Sequence, residues 1–502
     1  MLSILFLGCD KLQYKYIFWD FNGTIMDDVS TALACVNDIL ARRDRAPITL
    51  NDYYAYVDTP IIKFYYHILP PEEVDANRIS AEFHGDYLIH AKDAGLAPYA
   101  KELLLKLKKE GVHQYIVSAN NLDEIETLLN EHGIYDCFEK ILGVENSLSA
   151  SKTEMAKNLI NSLNIDKNEA IFIGDTLHDL ETANAMGINC VLVEYGHQGK
   201  KLLGEHKAFT VPTLKDVEKI LYDERVVDLH THSVCSDGSL TPAEVVELAK
   251  KSGLSAVALT DHDNIDGIKE ASEKAKELHI EFIPGIEFSA ADETETHIVG
   301  LFIDPENEDL LNTVNGLKSD RVNRMKKTCE NLCNLGFDIT FDEVKALSET
   351  GYVGRPHIAE LMVKKGFCET VKECFDKYIA IGKPAFVIKR ELSAIDAVKV
   401  IKKAGGIAIL AHLHQTKFGN EKLFELLKQL KAAGLDGIEG YYTEYTKEHI
   451  SDYRTMAEKL SLYLSGGSDF HGKLKPEVSI KTGYGNLRVP YYILENMKNN
   501  LK

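Results

Sequence analysis

Long uncharged apolar runs are missing from this 502-residue chain. None approaches the roughly 20 residues that span a bilayer, so no membrane segment is expected. Paired cysteines are missing too: nine are scattered without a CxxC spacing, and the four-residue step from Cys329 to Cys333 fits one face of a helix. That usage suits reduced thiols in a cytoplasmic protein rather than a disulfide framework. Positive charge is scarce. With 57 Lys and Arg against 77 Asp and Glu, the formal net charge is −20. Long duplex nucleic acid, which normally needs a basic surface, is therefore not an expected partner. A small phosphorylated substrate remains compatible, because bound cations reverse the sign of charge locally. The first residues, Met1–Cys9, lack a basic start and are shorter than the roughly 15–30 residues of a secretory signal.

What is present is the balance of a folded enzyme, 45% hydrophobic and 27% charged, in a chain long enough for two or three domains. Two blocks of alternating strand-like and helix-like segments meet near residues 212–225. The first block has strand candidates at Tyr16–Trp19, Tyr115–Val117 and Ala170–Ile173, with a helical stretch from about Asp28 to Asp93 after the first. This is the rhythm of an open parallel α/β sheet with a helical insertion. The second block offers Val226–Leu229, Ala256–Thr260, Phe282–Ile286, His297–Leu301, Ile407–Ala411, Gly437–Gly440 and Leu462–Ser465. Seven such units suggest a barrel, with a mostly helical insertion at about 305–395.

In the second block, histidines and acids gather at strand ends. His230 and His232 end the first strand two residues apart, so both side chains point to one face. Asp237 follows in a turn, His262 ends the second strand, Glu287 the third, and His412 the fifth. His297 starts the fourth, and Asp469 and His471 lie just past the seventh. Loops after strand C-termini build the active sites of parallel barrels, and mixed imidazole and carboxylate ligation suits Mn, Fe or Zn.

The stretches DLHTHSVCSDGSLTPAEVV, AVALTDHDNIDG, FIPGIEFSA, HIVGL, AILAH and GGSDFHG resemble the polymerase and histidinol phosphatase (PHP) family. The insertion residues GRPHIAELMVKKG and AIGKPAFV are similar to those of its nucleoside 3′,5′-bisphosphate phosphatases, also described as 5′→3′ exoribonucleases. The resemblance covers about residues 226–495 and implies a distorted (β/α)7 barrel. It also implies up to three ions, Mn²⁺ or alternatively Fe²⁺ or Zn²⁺, on the nine residues above, with Glu287 bridging. The implied reaction removes the 3′-phosphate of a nucleoside 3′,5′-bisphosphate or trims short RNA 5′ ends; histidinol phosphate hydrolysis is the alternative. Arg355 and His357, and more weakly Lys383 and Lys389, are candidate contacts for a second substrate phosphate. One departure is Leu413, where the family usually has Pro after the fifth-strand histidine.

In the first block, Asp20 stands at a strand tip before Asn22-Gly23-Thr24, a position suited to attack on phosphorus. Asp175 and Asp179 are spaced to share a Mg²⁺ ion. With Ser118 and Lys152, this set resembles the haloacid dehalogenase (HAD) superfamily, especially phosphoglycolate-phosphatase-like members with a Rossmann-like fold and a helical cap. The likeness covers about residues 14–212, with the cap at about 28–95. It implies Asp20 as nucleophile and, with Asp175 and Asp179, Mg²⁺ ligand. Ser118 and Lys152, with Thr24 beside the nucleophile, become phosphate contacts. The superfamily's phosphatases carry Asp as general acid and base where this chain has Asn22, whose amide cannot give up a proton. Such a loss typically costs about 10²–10⁴ in rate. This half is therefore either an impaired or specialised phosphatase, a non-catalytic phosphoryl-ligand regulator, or a structural relic.

Overall fold

A computed structural model describes residues 12–57, 61–91, 94–144, 151–291, 294–347, 353–387, 392–499 and 501. Lys389 and the Met1–Cys9 stretch lie outside them. The chain divides into two compact units. One holds the residues through Glu224 with Thr446–Tyr463 and the residues from Glu495; the other holds Arg225–Tyr445 and Leu464–Leu494.

The first unit is built on a six-stranded sheet. Its strands are β1 (Tyr16–Trp19), β4 (His113–Asn121), β5 (Lys140–Val144), β6 (Ala170–Gly174), β7 (Asn189–Val193) and β8 (Thr210–Val211), in the order β5-β4-β1-β6-β7-β8 with parallel pairing. β1 and β6 lie in the middle, and Ile17, Phe18, Trp19 and Ala170–Ile173 are buried almost completely, as expected for central parallel strands covered on both faces. The sequence pattern located three of these strands; β5 and β8 are the edge strands and β7 lies beside β8. Between β2 (Met26–Asp27) and β3 (Gly95–Leu96), which pair antiparallel, the helical stretch resolves into four helices, Val29–Ala41, Leu50–Tyr56, Ile62–Ile68 and Ala76–His90. They bury Val36, Ile39, Tyr53, Phe64 and Ile79 in a core of their own.

The second unit is a seven-stranded sheet. Its strands are β9 (Val227–Asp228), β10 (Ala256–Leu259), β11 (Glu281–Ala291), β12 (Glu295–Leu301), β13 (Ile407–Leu410), β14 (Gly437–Tyr442) and β15 (Tyr463–Gly467), and neighbours in the sheet follow chain order. β9, β10 and β11 pair parallel, as do β13 and β14, but β12 runs antiparallel to both of its neighbours. A parallel crossover needs a dozen or more residues; the few between Ala291 and Glu295 allow only a hairpin. The two ends of the sheet nearly meet. The Leu229 N–H donates to the Gly466 carbonyl at 3.1 Å and the Asp469 N–H to that of His230 at 2.9 Å. The result is the distorted barrel implied by the resemblance. The insertion between β12 and β13 is helical, Glu308–Asn334 being its longest helix, and has a separate core around Met325, Leu332, Ile358 and Met362.

Candidate metal centres

At the mouth of the barrel, the reversal of β12 explains why His297, near the start of its strand, joins residues from the ends of the others. Ser289 faces His297 across the β11–β12 pair, and Glu287 lies two residues back on the same face. Glu287 is fully buried and central. Its Oε1 lies 2.9 Å from His297 Nδ1 and 3.0 Å from His412 Nε2; its Oε2 lies 3.1 Å from His262 Nδ1 and 3.3 Å from the Nε2 atoms of His230 and His232. Asp469 Oδ1 is 3.1 Å from His232 Nε2 and 3.5 Å from both His230 Nε2 and His471 Nδ1. Asp237 stands between His471 Nε2 at 3.4 Å and His262 Nε2 at 3.8 Å. All nine residues singled out in the sequence thus fall into four overlapping groups of ligand atoms.

Their fit to cations is tested by atoms that ordinary bonding leaves over. Glu287 Oε2 and Asp237 Oδ1 are buried without a hydrogen-bond partner among the described residues, a costly condition in a protein interior. The His230 and His232 Nε2 atoms face each other at 3.1 Å. Donor atoms converging on common points without protons to share are what metal ligation supplies. Burial opposes charge on Glu287 and Asp469, yet the surrounding imidazoles hold both carboxyls well below the usual range. Burial also pushes the His262 ring down to about 3.

A supporting layer escaped the sequence reading. Glu439, buried in β14, accepts from His230 Nδ1 at 2.7 Å and from the His412 N–H at 2.6 Å, so one carboxylate orients two ligands. Asp261 accepts from the Ser233 N–H and the Ser233 and Ser236 hydroxyls, fixing the loop that carries His232. Asp469 Oδ2, the oxygen away from the imidazoles, accepts from Tyr442 Oη at 3.0 Å and Lys475 Nζ at 2.6 Å. The visible signal for Glu439 was an acid inside an otherwise apolar strand. The Leu413 N–H donates to the Tyr445 hydroxyl at 3.0 Å, a bond that proline cannot make. Arg355 and His357 are not joined to this cluster by any contact among the described residues. The Arg355 guanidinium lies 5.8 and 5.6 Å from the Phe375 and Phe386 ring centres, and His357 Nδ1 accepts from the Gly354 N–H. The Lys383 N–H donates to the Ala380 carbonyl within the same insertion.

In the first unit, Asp20 follows β1, Asp175 follows β6, and Asp179 lies in the first turn of the helix Leu177–Met186; the three form a compact carboxylate group. Lys152, first residue of the helix Lys152–Leu163, bridges Asp20 and Asp179. Burial pushes Asp20 up to about 6 against the pull of Lys152, and Asp175 up to about 8 against that of His197. An oxygen-rich triad of this kind suits Mg²⁺. Thr24 Oγ1 donates to Asp175 at 3.1 Å, whereas Ser118 Oγ accepts from the Asn120 N–H at 3.1 Å. Gly23 turns the chain at φ +68°, where a Cβ would run into Asp175. The Asn22 amide is already engaged: it donates to Asp28 Oδ2 at 2.6 Å and to the Tyr87 hydroxyl at 2.7 Å. Tyr87 and the Gly23 N–H also bond Asp28, and His197 Nε2 lies 3.3 Å from it. Of these partners, none was singled out in the sequence.

Residues 228–471 match the family model for the PHP domain, and residues 17–193 that for haloacid dehalogenase-like hydrolases; both are hydrolase families. A 3′,5′-nucleoside bisphosphate phosphatase of Chromobacterium violaceum is 34% identical over 247 residues, 49% of this chain and 87% of the relative. A 5′-3′ exoribonuclease of Haemophilus influenzae is 37% identical over 245 residues, covering 49% and 89%. A phosphoglycolate phosphatase of Cereibacter sphaeroides is 24% identical over 189 residues, covering 36% and 86%. Among the described residues no helix is long and apolar enough to cross a membrane.

Proposed function

Because the chain belongs to the PHP-domain family, with a haloacid dehalogenase-like domain ahead of that domain, we propose that its second unit is a metal-dependent phosphatase of nucleotides. The proposed reaction removes the 3′-phosphate of a nucleoside 3′,5′-bisphosphate, or trims the 5′ ends of short RNA. The observation that carries the reading is Glu287, buried among five imidazoles, with Asp469 and Asp237 on either side. The nine residues would hold up to three divalent ions, Mn²⁺ or alternatively Fe²⁺ or Zn²⁺. Such ions supply Lewis acidity toward a phosphoryl oxygen and a nucleophile at neutral pH. The protein's own part is orientation. Glu439 sets the His230 ring and the His412 backbone, Asp261 sets the His232 loop, and Tyr442 fixes one oxygen of Asp469. The names of the bacterial relatives support the nucleotide class. Arg355 and His357 remain proposed contacts for the second phosphate.

For the first unit we propose phosphoryl-ligand binding with weak turnover, using Mg²⁺ on Asp20, Asp175 and Asp179. Its limitation is the Asn22 amide, which has no acidic proton and whose hydrogens are directed at Asp28 and Tyr87.

The test is phosphate release with Mn²⁺ from a nucleoside 3′,5′-bisphosphate, a 5′-monophosphate, histidinol phosphate and phosphoglycolate. Preference for the bisphosphate is expected, lost by about 10²-fold or more in Asp469→Asn and kept in Asp20→Asn. No turnover of the bisphosphate would refute the substrate assignment.

A further inference from the structure

A phosphate dianion approaching a protein of net charge −20 needs fixed cations at the mouth of its site, and the metal ligands themselves contribute three carboxylates. Lys475 stands at that mouth. It follows the short helical turn Gly472–Leu474 beyond His471, and the turn is tied down on two sides. The Ser239 N–H donates to the His471 carbonyl at 3.1 Å, and the Lys473 N–H donates to Ser239 Oγ at 2.7 Å. Gly472 adopts φ +65°, with no room for a Cβ beside the Ser239 hydroxyl. The loop carrying Lys475 is thereby pinned to the loop carrying Asp237.

Asp469 is divided between two tasks. Its Oδ1 faces His230, His232 and His471, while its Oδ2 receives Tyr442 Oη at 3.0 Å and Lys475 Nζ at 2.6 Å. An ammonium has three donors. Among the described residues Asp469 is the one acceptor for this group, and the Lys475 side chain is 35% exposed. Two of its donors are thus left without an acceptor among the described residues, beside a metal ligand. If the lysine served only to orient Asp469, Tyr442 would already do so. A lysine pinned at the edge of the cluster with donors to spare has the chemistry of an anion contact.

We propose that Lys475 is a substrate-binding residue that donates to a phosphate oxygen while it remains paired with Asp469. The inference rests on the phosphoesterase reading of this site but not on the nucleotide, since every phosphoesterase substrate delivers the same group. Inorganic phosphate is therefore the probe, titrated by calorimetry into the Mn²⁺-loaded full chain. Lys475→Met should weaken phosphate binding by about tenfold to hundredfold, the worth of one hydrogen bond to a charged group. Lys475→Arg should restore most of the affinity, and bound Mn²⁺ per chain should stay at the wild-type value in both. Lys473→Met supplies the contrast: it removes an exposed positive charge from the same turn, and phosphate affinity should change less than threefold. Unchanged phosphate affinity in Lys475→Met, or a loss of Mn²⁺ that accounts for the weakened binding, would overturn the proposal. Should wild type bind phosphate through Lys475 yet fail to hydrolyse the bisphosphate, the substrate class falls and the lysine's role stands.

Discussion

The two carboxylate centres of this chain each gather three acids and treat two of the three differently. In the first unit Lys152 holds Asp179 below the ordinary carboxylate range against its burial, while burial drives Asp20 to about 6 against the same lysine and Asp175 to about 8 against His197. In the second, Glu287, Asp469 and Asp237 are interleaved with six imidazoles and lie below the ordinary carboxylate range, although burial pushes each of them upward. The comparison teaches that partners, not depth, decide whether a buried acid keeps its charge. The donor sets differ as well: an all-oxygen triad suits a hard ion, whereas a mixed imidazole and carboxylate set suits transition metals.

The comparison can be sharpened at Asn22. Changing Asn22→Asp alone sets a second carboxylate against Asp28, where the amide now lies 2.6 Å away, and two such acids must share a proton. Exchanging the pair, Asn22→Asp with Asp28→Asn, keeps one acid and one amide. The exchanged protein should gain about 10²-fold in Mg²⁺-dependent phosphatase turnover assigned to Asp20, the lower end of what a general acid contributes. The single variant should gain less, and equal gains would show that Asp28 does not restrain the position. Next in size is Glu439→Gln, which keeps the shape but weakens the orientation of His230 and His412. Mn²⁺ affinity of the second unit should fall by about 10–100-fold, read by equilibrium dialysis, with the first unit's Mg²⁺ affinity unchanged. The smallest effect is expected from Leu413→Pro. Loss of the bond to Tyr445 should lower stability in urea by about 1 kcal/mol without altering Mn²⁺ content.

Much of this centre was legible because its ligands are punctuation. A polar residue that ends an apolar strand stands out, and His230 and His232 share a face by strand alternation alone. The seven barrel strands were visible for the same reason. The direction of β12 was not, because periodicity marks a strand without giving its sense. The supporting residues were hidden by distance along the chain: Glu439 meets His230 across 209 positions, and Tyr87 meets Asn22 across 65. Asn22 itself was legible as a missing acid, while its capture by residues of the four-helix insertion required the fold. Leu413 was legible only as a departure; its use of the freed N–H needed Tyr445 in place.

The hairpin of β11 and β12 has a consequence for how the barrel comes to exist. Its two strands are neighbours in sequence, so their pairing closes a short loop and costs little chain entropy, and it already brings Glu287 beside His297. The opposite seam costs more by the same accounting, since Ser468 must find Asp228 across 240 positions. The ligand cluster therefore straddles contacts of very short and very long sequence separation. A chain stalled before closure would hold an acid and an imidazole side by side but no mouth, and the capacity to retain ions becomes a chemical signature that folding has finished.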